Sequence, residues 1–270
     1  MNRLTRTLSA LALTLLAGCQ PNLPMETATP LTDVRRLRVD TTLETTPFLE
    51  RLIASYKDKQ PSIDIQSQTV GHDVLMQRLL AGEGDYGLTL HAPDDKTLWS
   101  APLAYDALVV LVHPDNLVTS LTPDDLRRLY SGVTRSWGTG EAVDVFSWPP
   151  RSGLRDEFER LVMGQRRLLT TAQILPTSAA VQAQIAQTPN GIAYLPYSQW
   201  KADAGGRVIA IDGVLPAADT LASGQYPLRL TVYLVGRTPP EGDYAALLAW
   251  IQSRKGQDQL APSYVPLLPG

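Results

Sequence analysis

The sequence is poor in the residues that build metal sites and disulfide frameworks. It contains one cysteine, Cys19, and three histidines in 270 residues. A single cysteine excludes an intramolecular disulfide and a cysteine-based metal site. The histidines show neither the H-x-x-x-H nor the H-E-x-x-H spacing of zinc sites. We therefore expect no metal and no cofactor.

The sequence also lacks a large excess of either positive or negative charge. The formal net charge is -3, and 19% of the residues are charged. The chain therefore has no basic excess of the kind that attracts nucleic acid, and we expect no nucleic-acid partner. Any binding of an anion must come from a few well-placed donors rather than from bulk charge.

The apolar run near the N-terminus is too short to span a membrane, but it has the form of a secretory signal. Arg3 and Arg6 precede an apolar stretch over residues 8–16. The stretch ends in Leu-Ala-Gly before Cys19, which resembles the bacterial lipobox, whose cysteine is lipidated after cleavage. The alternative is a plain cleavage site with an incidental cysteine. We expect residues 1–18 to be a lipoprotein signal peptide and Cys19 to be the lipid anchor.

Residues 19–36 contain three prolines and no apolar period, as is typical of a flexible tether. Beyond them lie roughly 235 residues, enough for one large domain or for two lobes. The whole chain is 44% hydrophobic, an ordinary value for a globular protein.

The first part of the body predicts an open, mostly parallel sheet. Strand patterns over residues 37–41, 63–70 and 86–90 alternate with helical patterns that begin at Pro47 and Val74. This β-α-β-α-β order is typical of an α/β fold.

Ligands of such sheets bind at the carboxyl ends of the strands. Three turns lie in that kind of position, and they contain Thr41 and Thr42, then Gly71 and His72, and then Thr89. We interpret Thr41, Thr42, His72 and Thr89 as candidate ligand-binding residues.

Two long apolar runs, over residues 105–113 and 228–235, bracket the middle of the body. They indicate two lobes joined by two crossings. We expect one discontinuous lobe, built from residues 37–107 and 229–270, and an inserted second lobe over residues 108–228.

A strand, a turn and a helix follow one another over residues 143–158. Ser152 and Gly153 lie where the helix begins, so that serine can cap the first turn and glycine lets a ligand approach the backbone. The free N–H groups of a helix start attract anions, and Arg151 and Arg155 would add charge-assisted hydrogen bonds. The alternative is an ordinary capped helix with two solvated arginines. We interpret the stretch as a candidate oxyanion cradle.

Four segments resemble the phosphate-binding proteins that serve phosphate ABC transporters. Residues 121–137 are similar to the signature L-x-x-I-Y-x-G-x-I-x-x-W, and residues 151–158 to the anion loop G-S-G-T-R-x-x-F. Residues 190–194 match the G-A-I-G-Y strand. Residues 226–267 match the tail from Y-P-L to Y-V-P-L, and the resemblance covers residues 37–267.

The resemblance implies a two-lobe, class II periplasmic-type binding protein fold, in which each lobe is a mostly parallel sheet flanked by helices. It also implies an extracytoplasmic, membrane-anchored lipoprotein that captures a small oxyanion between its lobes and delivers it to an ABC transporter permease. The favoured ligand is phosphate, and the expected state is a monomer. Ser152, Gly153 and Arg155 match the anion loop, while Thr41 and Thr42 match the first strand-helix turn.

Some family ligand positions differ in this chain. Trp148 stands where the family has a ligand arginine, which Arg151 would replace from three residues further on. Leu154 stands in place of a threonine, and Leu90 in place of a charged residue. His72 stands in place of a serine. Binding of tungstate, molybdate or another oxyanion is therefore an alternative, as is a degenerate lipoprotein of binding-protein type with a role outside transport.

An enzyme is not expected. Ser152 lacks the G-x-S-x-G elbow of serine hydrolases, and no base stands at a fixed offset from it. His72 is interpreted as a loop histidine, and acidic pairs such as Asp124 and Asp125 are explained by the start of a helix.

The first prediction concerns the anchor. Because the apolar run ends at a lipobox-like site, wild-type cells fed a radioactive fatty acid should incorporate label into the protein. The label should be lost in Cys19→Ala, since no other cysteine is available. Label retained by Cys19→Ala would contradict the lipoprotein assignment.

Overall fold

A sheet with parallel flanks and an antiparallel centre runs through the part of the chain that is described, residues 34–261 and 263–267 of a computed structural model. Its strand order is β2-β1-β3-β11-β4-β8-β6-β7, with β9 paired to β4, while β5 and β10 form a separate parallel pair. The strands are β1 (Arg35–Thr41), β2 (Ile63–Gln66), β3 (Tyr86–Thr89), β4 (Trp99–Val112), β5 (Ser120–Leu121), β6 (Asp144–Ser147), β7 (Gln173–Ile174), β8 (Gly191–Pro196), β9 (Arg207–Val208), β10 (Ala210–Ile211) and β11 (Arg229–Gly236). The helices are α1 (Thr46–Lys59), α2 (His72–Ala81), α3 (Pro123–Tyr130), α4 (Gly153–Phe158), α5 (Ser178–Ile185), α6 (Ala218–Ala222), α7 (Gly242–Ile251) and α8 (Arg254–Leu260).

The strand β4 is shared by the two parallel sets of strands. Its residues 99–107 pair antiparallel with β11, and its residues 108–112 pair antiparallel with β8. We call β2, β1, β3, β11 and the first part of β4 the β1 side, and the second part of β4 with β8, β6 and β7 the β8 side. β11 begins at Arg229, which faces Ala107, so the chain returns to the β1 side where β4 leaves it.

The β1 side has the β-α-β-α-β order that the periodicity predicted. β1 pairs parallel with β2 and with β3, and α1 buries Phe48, Leu49, Leu52 and Tyr56 against this core. The α/β fold class with helices flanking a central sheet is therefore confirmed. The sheet is antiparallel only around β4 and β11 because those strands join the two parallel sets.

The β8 side is packed around an aromatic cluster that positions α4. The rings of Phe158 and Tyr194 stack with centroids 4.1 Å apart, and the centroid of Tyr130 lies 4.5 Å from that of Phe158. Tyr130 comes from α3, which begins with a capping box formed by Thr122 and Asp125. The cluster thus holds α4 against β8, and the helix continues as a π-helical turn over Glu159–Met163.

Several boundaries differ from those predicted. β1 begins at Arg35, so the last two residues of the expected tether belong to a strand. β2 ends at Gln66 rather than Val70, although Thr69 still bridges to Thr41. The apolar pattern over residues 244–259 predicts one helix. The structure has two, because the side chain of Ser253 accepts a hydrogen bond from Gly256 N and starts α8.

The expected signal peptide, Cys19 and all of the tether before Val34 lie outside the described residues. Within the described ranges, no helix is both long and apolar enough to cross a membrane.

Candidate anion-binding cleft

A cleft of about 370 Å³ opens between the two sides of the sheet. It lies at the carboxyl ends of β1 and β2 on one side and of β6 and β7 on the other. This is the place where open α/β sheets bind ligands. The lining residues are Thr42, Leu43, Glu44, Thr69, Val70, Gly71, His72, Trp148, Pro149, Pro150, Arg151, Ser152, Gly153 and Pro176.

The start of α4 faces the β1–α1 turn across this cleft. The side chain of Ser152 accepts a hydrogen bond from Arg155 N, as a helix cap does. Gly153 is buried, and a Cβ placed on it would lie 3.8 Å from Thr42 Oγ1. Because the first N–H groups of a helix have no intrahelical acceptor, this turn offers donors to a ligand. Ser152, Gly153 and Thr42 are thus brought together.

A carboxylate of the protein itself lies over the same helix start. The position of a Cβ on Gly153 is 3.3 Å from Glu44 Oε2. Glu44 is 3% exposed, and its Oε1 is buried without a hydrogen-bond partner among the described residues. The backbone carbonyl of Glu44 accepts a hydrogen bond from Gln199 Nε2, which comes from the β8 side. Glu44 therefore contributes a buried acceptor, and negative charge, to the site.

Arg151 occupies a turn that normally contains glycine. Its φ is 67°, in the left-handed region, and Ser152 N donates to Pro149 O across the turn. Residues other than glycine are disfavoured in that region. Its side chain is 83% exposed at the mouth of the cleft, and Nε lies 3.7 Å from Asp73 Oδ2. The guanidinium therefore stands at the entrance, held weakly by one exposed carboxylate.

Arg155 is directed away from the cleft. Its Nε donates to Glu159 Oε1 at 2.7 Å, and its Nη1 donates to Ser147 Oγ at 2.8 Å. Ser147 in turn shares a hydrogen bond with Tyr194 Oη. The buried guanidinium thus ties α4 to the ends of β6 and β8, and it does not line the cleft.

Three of the positions that depart from the family pattern hold buried hydrophobic residues. Trp148 donates from Nε1 to Tyr194 O at 2.8 Å and is 1% exposed. Leu154 and Leu90 are also buried in the core. None of these three side chains offers a free polar group to an anion.

The threonines of the β1–α1 turn bond mainly to one another. Thr45 Oγ1 lies 2.6 Å from Thr41 Oγ1 and 3.1 Å from Thr42 Oγ1, and it accepts from Thr42 N. Thr41 does not line the cleft, whereas Thr42 does. The sequence pattern predicts Thr41 and Thr42 as ligand-binding residues but does not reveal Thr45 as the centre of this turn.

His72 lines the cleft at the start of α2, whereas Thr89 does not line it. Thr89 Oγ1 donates to His91 O at 2.6 Å, and the rings of His72 and His91 lie 4.8 Å apart. Burial and the neighbouring His91 lower the pKa of His72, so its neutral form is favoured. His91 is a neighbour that sequence reasoning missed, although it stands only two residues after Thr89.

Glu157 joins His91 to α4. Its Oε1 lies 2.9 Å from His91 Nδ1, and its carboxylate accepts two hydrogen bonds from Arg160. Burial alone would raise the pKa of Glu157, but the close approach of His91 and the hydrogen bonds from Arg160 outweigh burial and lower that pKa. This contact also connects the two sides of the sheet, since His91 follows β3.

Asp156, on α4, lies among other acids. Burial, followed by the charges of Asp73 and Glu159, raises its pKa to about 6. These acids lie close to the start of α4, although Asp156 itself does not line the cleft. Asp40, near the end of β1, is held by Arg38 and Arg78 and does not line the cleft.

Over residues 34–261 and 263–267, no group of three or more histidine, cysteine or acidic side chains is placed to hold a metal ion. The arrangement can supply hydroxyl and amide donors, one buried carboxylate and one exposed cation. Those groups suit a small ligand that both accepts and donates hydrogen bonds.

A mixed α/β fold with a cleft at the strand ends on both sides of a shared strand defines the class of periplasmic-type binding proteins. A sequence model of the PBP superfamily domain matches residues 26–255, and the chain belongs to that superfamily.

The chain is similar to curated proteins named phosphate-binding protein PstS. It is 25% identical to that of Bacillus subtilis (strain 168) over 193 residues, which are 67% of this chain and 63% of the relative. The match thus spans slightly less than two thirds of that relative. The PstS of Pseudomonas aeruginosa (strain UCBPP-PA14) is 26% identical over 252 residues, covering 78% of this chain and 77% of the relative. The resemblance drawn from the motifs is confirmed.

Solved structures show the same fold. A substrate-binding protein from Clostridium perfringens with bound phosphate matches with a TM-score of 0.77 at 20% identity, covering 87% of this chain and all of the other. An ABC-type phosphate transport receptor from Vibrio cholerae matches with a TM-score of 0.76 at 19% identity, covering 86% of this chain and all of the other.

The raised pKa of Asp156 gives a prediction for stability. Between its unfolded value of 3.8 and about 6, the folded state binds more protons, so this carboxyl lowers the free energy of unfolding as pH rises. Asp156→Asn should therefore raise that free energy at pH 7 by about 1 kcal/mol, a value reduced for solvent screening because the group is half-buried, and by much less at pH 4. Urea unfolding at the two pH values measures the difference.

The control for this experiment is Asp58→Asn, on the exposed face of α1. It should change stability little at either pH. An equal shift at pH 4 and pH 7 in Asp156→Asn would contradict the assignment.

Proposed function

We propose that the chain is an extracytoplasmic solute-binding lipoprotein of an ABC importer, which captures a small oxyanion in the cleft, with phosphate as the favoured ligand. The observation that carries this proposal is the start of α4, where Ser152 and the buried Gly153 face Thr42 from the other side of the sheet. The relatives named phosphate-binding protein support the choice of ligand.

Helix starts surround the cleft from both sides. The turns that begin α1, α2 and α4 all contribute lining residues, at Thr42, His72 and Ser152. Helix N-termini have a positive dipole end and free N–H groups, which together favour an anion. Arg151 at the mouth adds the cation that an anion needs when it leaves water.

A binding role without turnover is the function that we propose. Relatives of the chain are solute-binding proteins by name. Ser152 caps its own helix through Arg155 N instead of contacting a histidine base. Incubation with phosphate esters should therefore release no phosphate.

One titration distinguishes phosphate binding from two alternative functions. Tungstate or molybdate could replace phosphate, because Trp148, Leu154 and Leu90 remove polar groups from family ligand positions. A degenerate cleft with a role outside transport would bind none of these anions. Calorimetric titration with phosphate, sulfate, tungstate and molybdate separates the three cases.

The proposed setting follows from the motifs and the relatives. Cys19 would anchor the protein to the membrane, on the extracytoplasmic face, and an ABC permease would be the partner that receives the ligand. We propose that the protein acts there as a monomer.

The lobe assignment is also a proposal. Residues 37–107 with 229–270 would form one lobe, and residues 108–228 the other. The exchange of β4 partners between Ala107 and Leu108 supports this division, because backbone pairing changes sides there. The contact between His91 and Glu157 would then join the lobes.

The lobe proposal predicts that ligand binding compacts the protein, because a ligand held by both sides favours their approach. Small-angle scattering should show a smaller radius of gyration at a phosphate concentration that saturates binding. Identical scattering with and without bound phosphate would contradict the proposal.

The role of Arg151 is tested by two substitutions. Arg151→Ala should weaken phosphate binding by about ten- to a hundredfold, since a charge-assisted hydrogen bond contributes roughly 1.5–3 kcal/mol. Arg151→Gly should weaken it equally, yet the free energy of unfolding should stay the same or rise by up to about 1 kcal/mol, because glycine suits a φ of 67°. Calorimetric titration and urea unfolding measure the two effects.

Arg167→Ala, at an exposed position outside the cleft, is the matched control and should bind like the parent. Unchanged phosphate affinity in both Arg151→Ala and Ser152→Ala, with folding intact, would remove this site from consideration.

A further inference from the structure

The turn between β1 and α1 is contacted from the opposite side of the sheet by the side chain of Gln199. Its Nε2 donates to the backbone carbonyl of Glu44 at 3.0 Å. Gln199 ends a short 3-10 turn, Tyr197–Gln199, which directly follows β8. Glu44 lies between Thr42 and Thr45, whose mutual hydrogen bonds shape the β1–α1 turn. The bond from Gln199 therefore links the β8 side to the turn that places Thr42 at the cleft.

The side-chain amide of Gln199 is held in one orientation. A carbonyl oxygen only accepts hydrogen bonds, so the amide presents its NH₂ group to Glu44 O. Its Oε1 then faces Ser178 Oγ, which donates to it at 2.7 Å. The backbone carbonyl of Gln199 also accepts from Gln182 Nε2 at 3.2 Å, and both Ser178 and Gln182 are buried residues of α5. These contacts fix Gln199 against α5.

The 3-10 turn is also fixed at the point where β4 changes partners. Asp106, which is 3% exposed, accepts from Ser198 N at 3.0 Å and from Ser198 Oγ at 2.6 Å. Asp106 directly precedes Ala107, the last residue of β4 that pairs with β11. A donor whose own position is held by such contacts can restrain the group that it binds. Gln199 is thus suited to hold the β1–α1 turn in place.

We propose that Gln199 is a positioning residue of the anion site, which holds Thr42 opposite the start of α4 without contacting the ligand. Gln199 does not line the cleft, so its effect passes through the backbone at Glu44. A small ligand can reach donors on both sides of the cleft only while their separation is kept, and a displacement of about 1 Å is enough to weaken such a site. This inference rests on the proposed function, because the site that Gln199 positions is the one proposed to hold phosphate.

Gln199→Met tests the proposal, because methionine keeps the length of the side chain and removes the donor. Calorimetric titration of the full chain, purified in detergent, should show a phosphate affinity about three- to tenfold lower than that of the parent, as expected for the loss of one neutral hydrogen bond. Gln199→Ala also lacks the donor and should show at least the same loss.

Gln252→Met is the matched control. Gln252 Nε2 also donates to a backbone carbonyl, Pro102 O at 3.2 Å, but both residues belong to the proposed lobe of residues 37–107 and 229–270. This variant should bind phosphate like the parent. If Gln199 had only a structural role, its substitution would lower the free energy of unfolding, measured in urea, and leave phosphate affinity unchanged.

Hydrogen exchange of the ligand-free protein measures the restraint on the turn directly. The backbone amides of residues 42–46 should exchange about threefold or more faster in Gln199→Met than in the parent, because the turn opens more often once its restraint is lost. Exchange over the same residues should be unchanged in Gln252→Met.

Phosphate binding by Gln199→Met that is as tight as that of the parent would overturn the inference and leave the proposed function standing. Unchanged exchange over residues 42–46, or an equal loss of affinity in Gln252→Met, would also overturn the inference. A parent protein that binds no phosphate would overturn the proposed function, and the inference with it.

Discussion

Backbone pairing along β4 is the constraint on which the rest of the structure depends. One strand exchanges β11 for β8 as its partner between Ala107 and Leu108, and it thereby places two parallel sets of strands end to end. The carboxyl ends of β1 and β2 then face those of β6 and β7, and the cleft lies between them. The groups that line the cleft stand on the segments that follow these four strands, so their positions depend on this pairing.

The charged side chains near the cleft are few, and their effect on a ligand depends on where each one lies. Glu44 and Asp156 bring negative charge close to the start of α4, where an incoming anion would lie. Arg155, which could offset them, is used to tie α4 to Ser147. The helix starts and Arg151 at the mouth are left to attract the ligand. Such a site favours anions that carry a proton over anions that cannot, since a buried carboxylate repels a fully ionised ligand.

Periodicity predicted most of the fold because strands and helices of the β1 side have clear apolar patterns and well-marked starts. It placed β1, α1 and α3 within two residues of their observed starts. It joined α7 to α8, since the apolar stripe continues past Ser253 although the backbone does not. The cleft turns were located from the strand ends, but the roles of Arg155 and Thr45 depend on contacts between distant or mutually bonded side chains that spacing cannot reveal. Glu44 stands close behind Thr42 and can be expected in the cleft from the sequence, but its position over Gly153 cannot.

The two edges of the main sheet are short. β2 has four residues and β7 has two, whereas the interior strands β4 and β11 have fourteen and eight. An edge strand with few free N–H and C=O groups is a poor template for pairing with another chain. If the protein is anchored at high density on a membrane surface through Cys19, these short edge strands would disfavour pairing of strands between neighbouring copies.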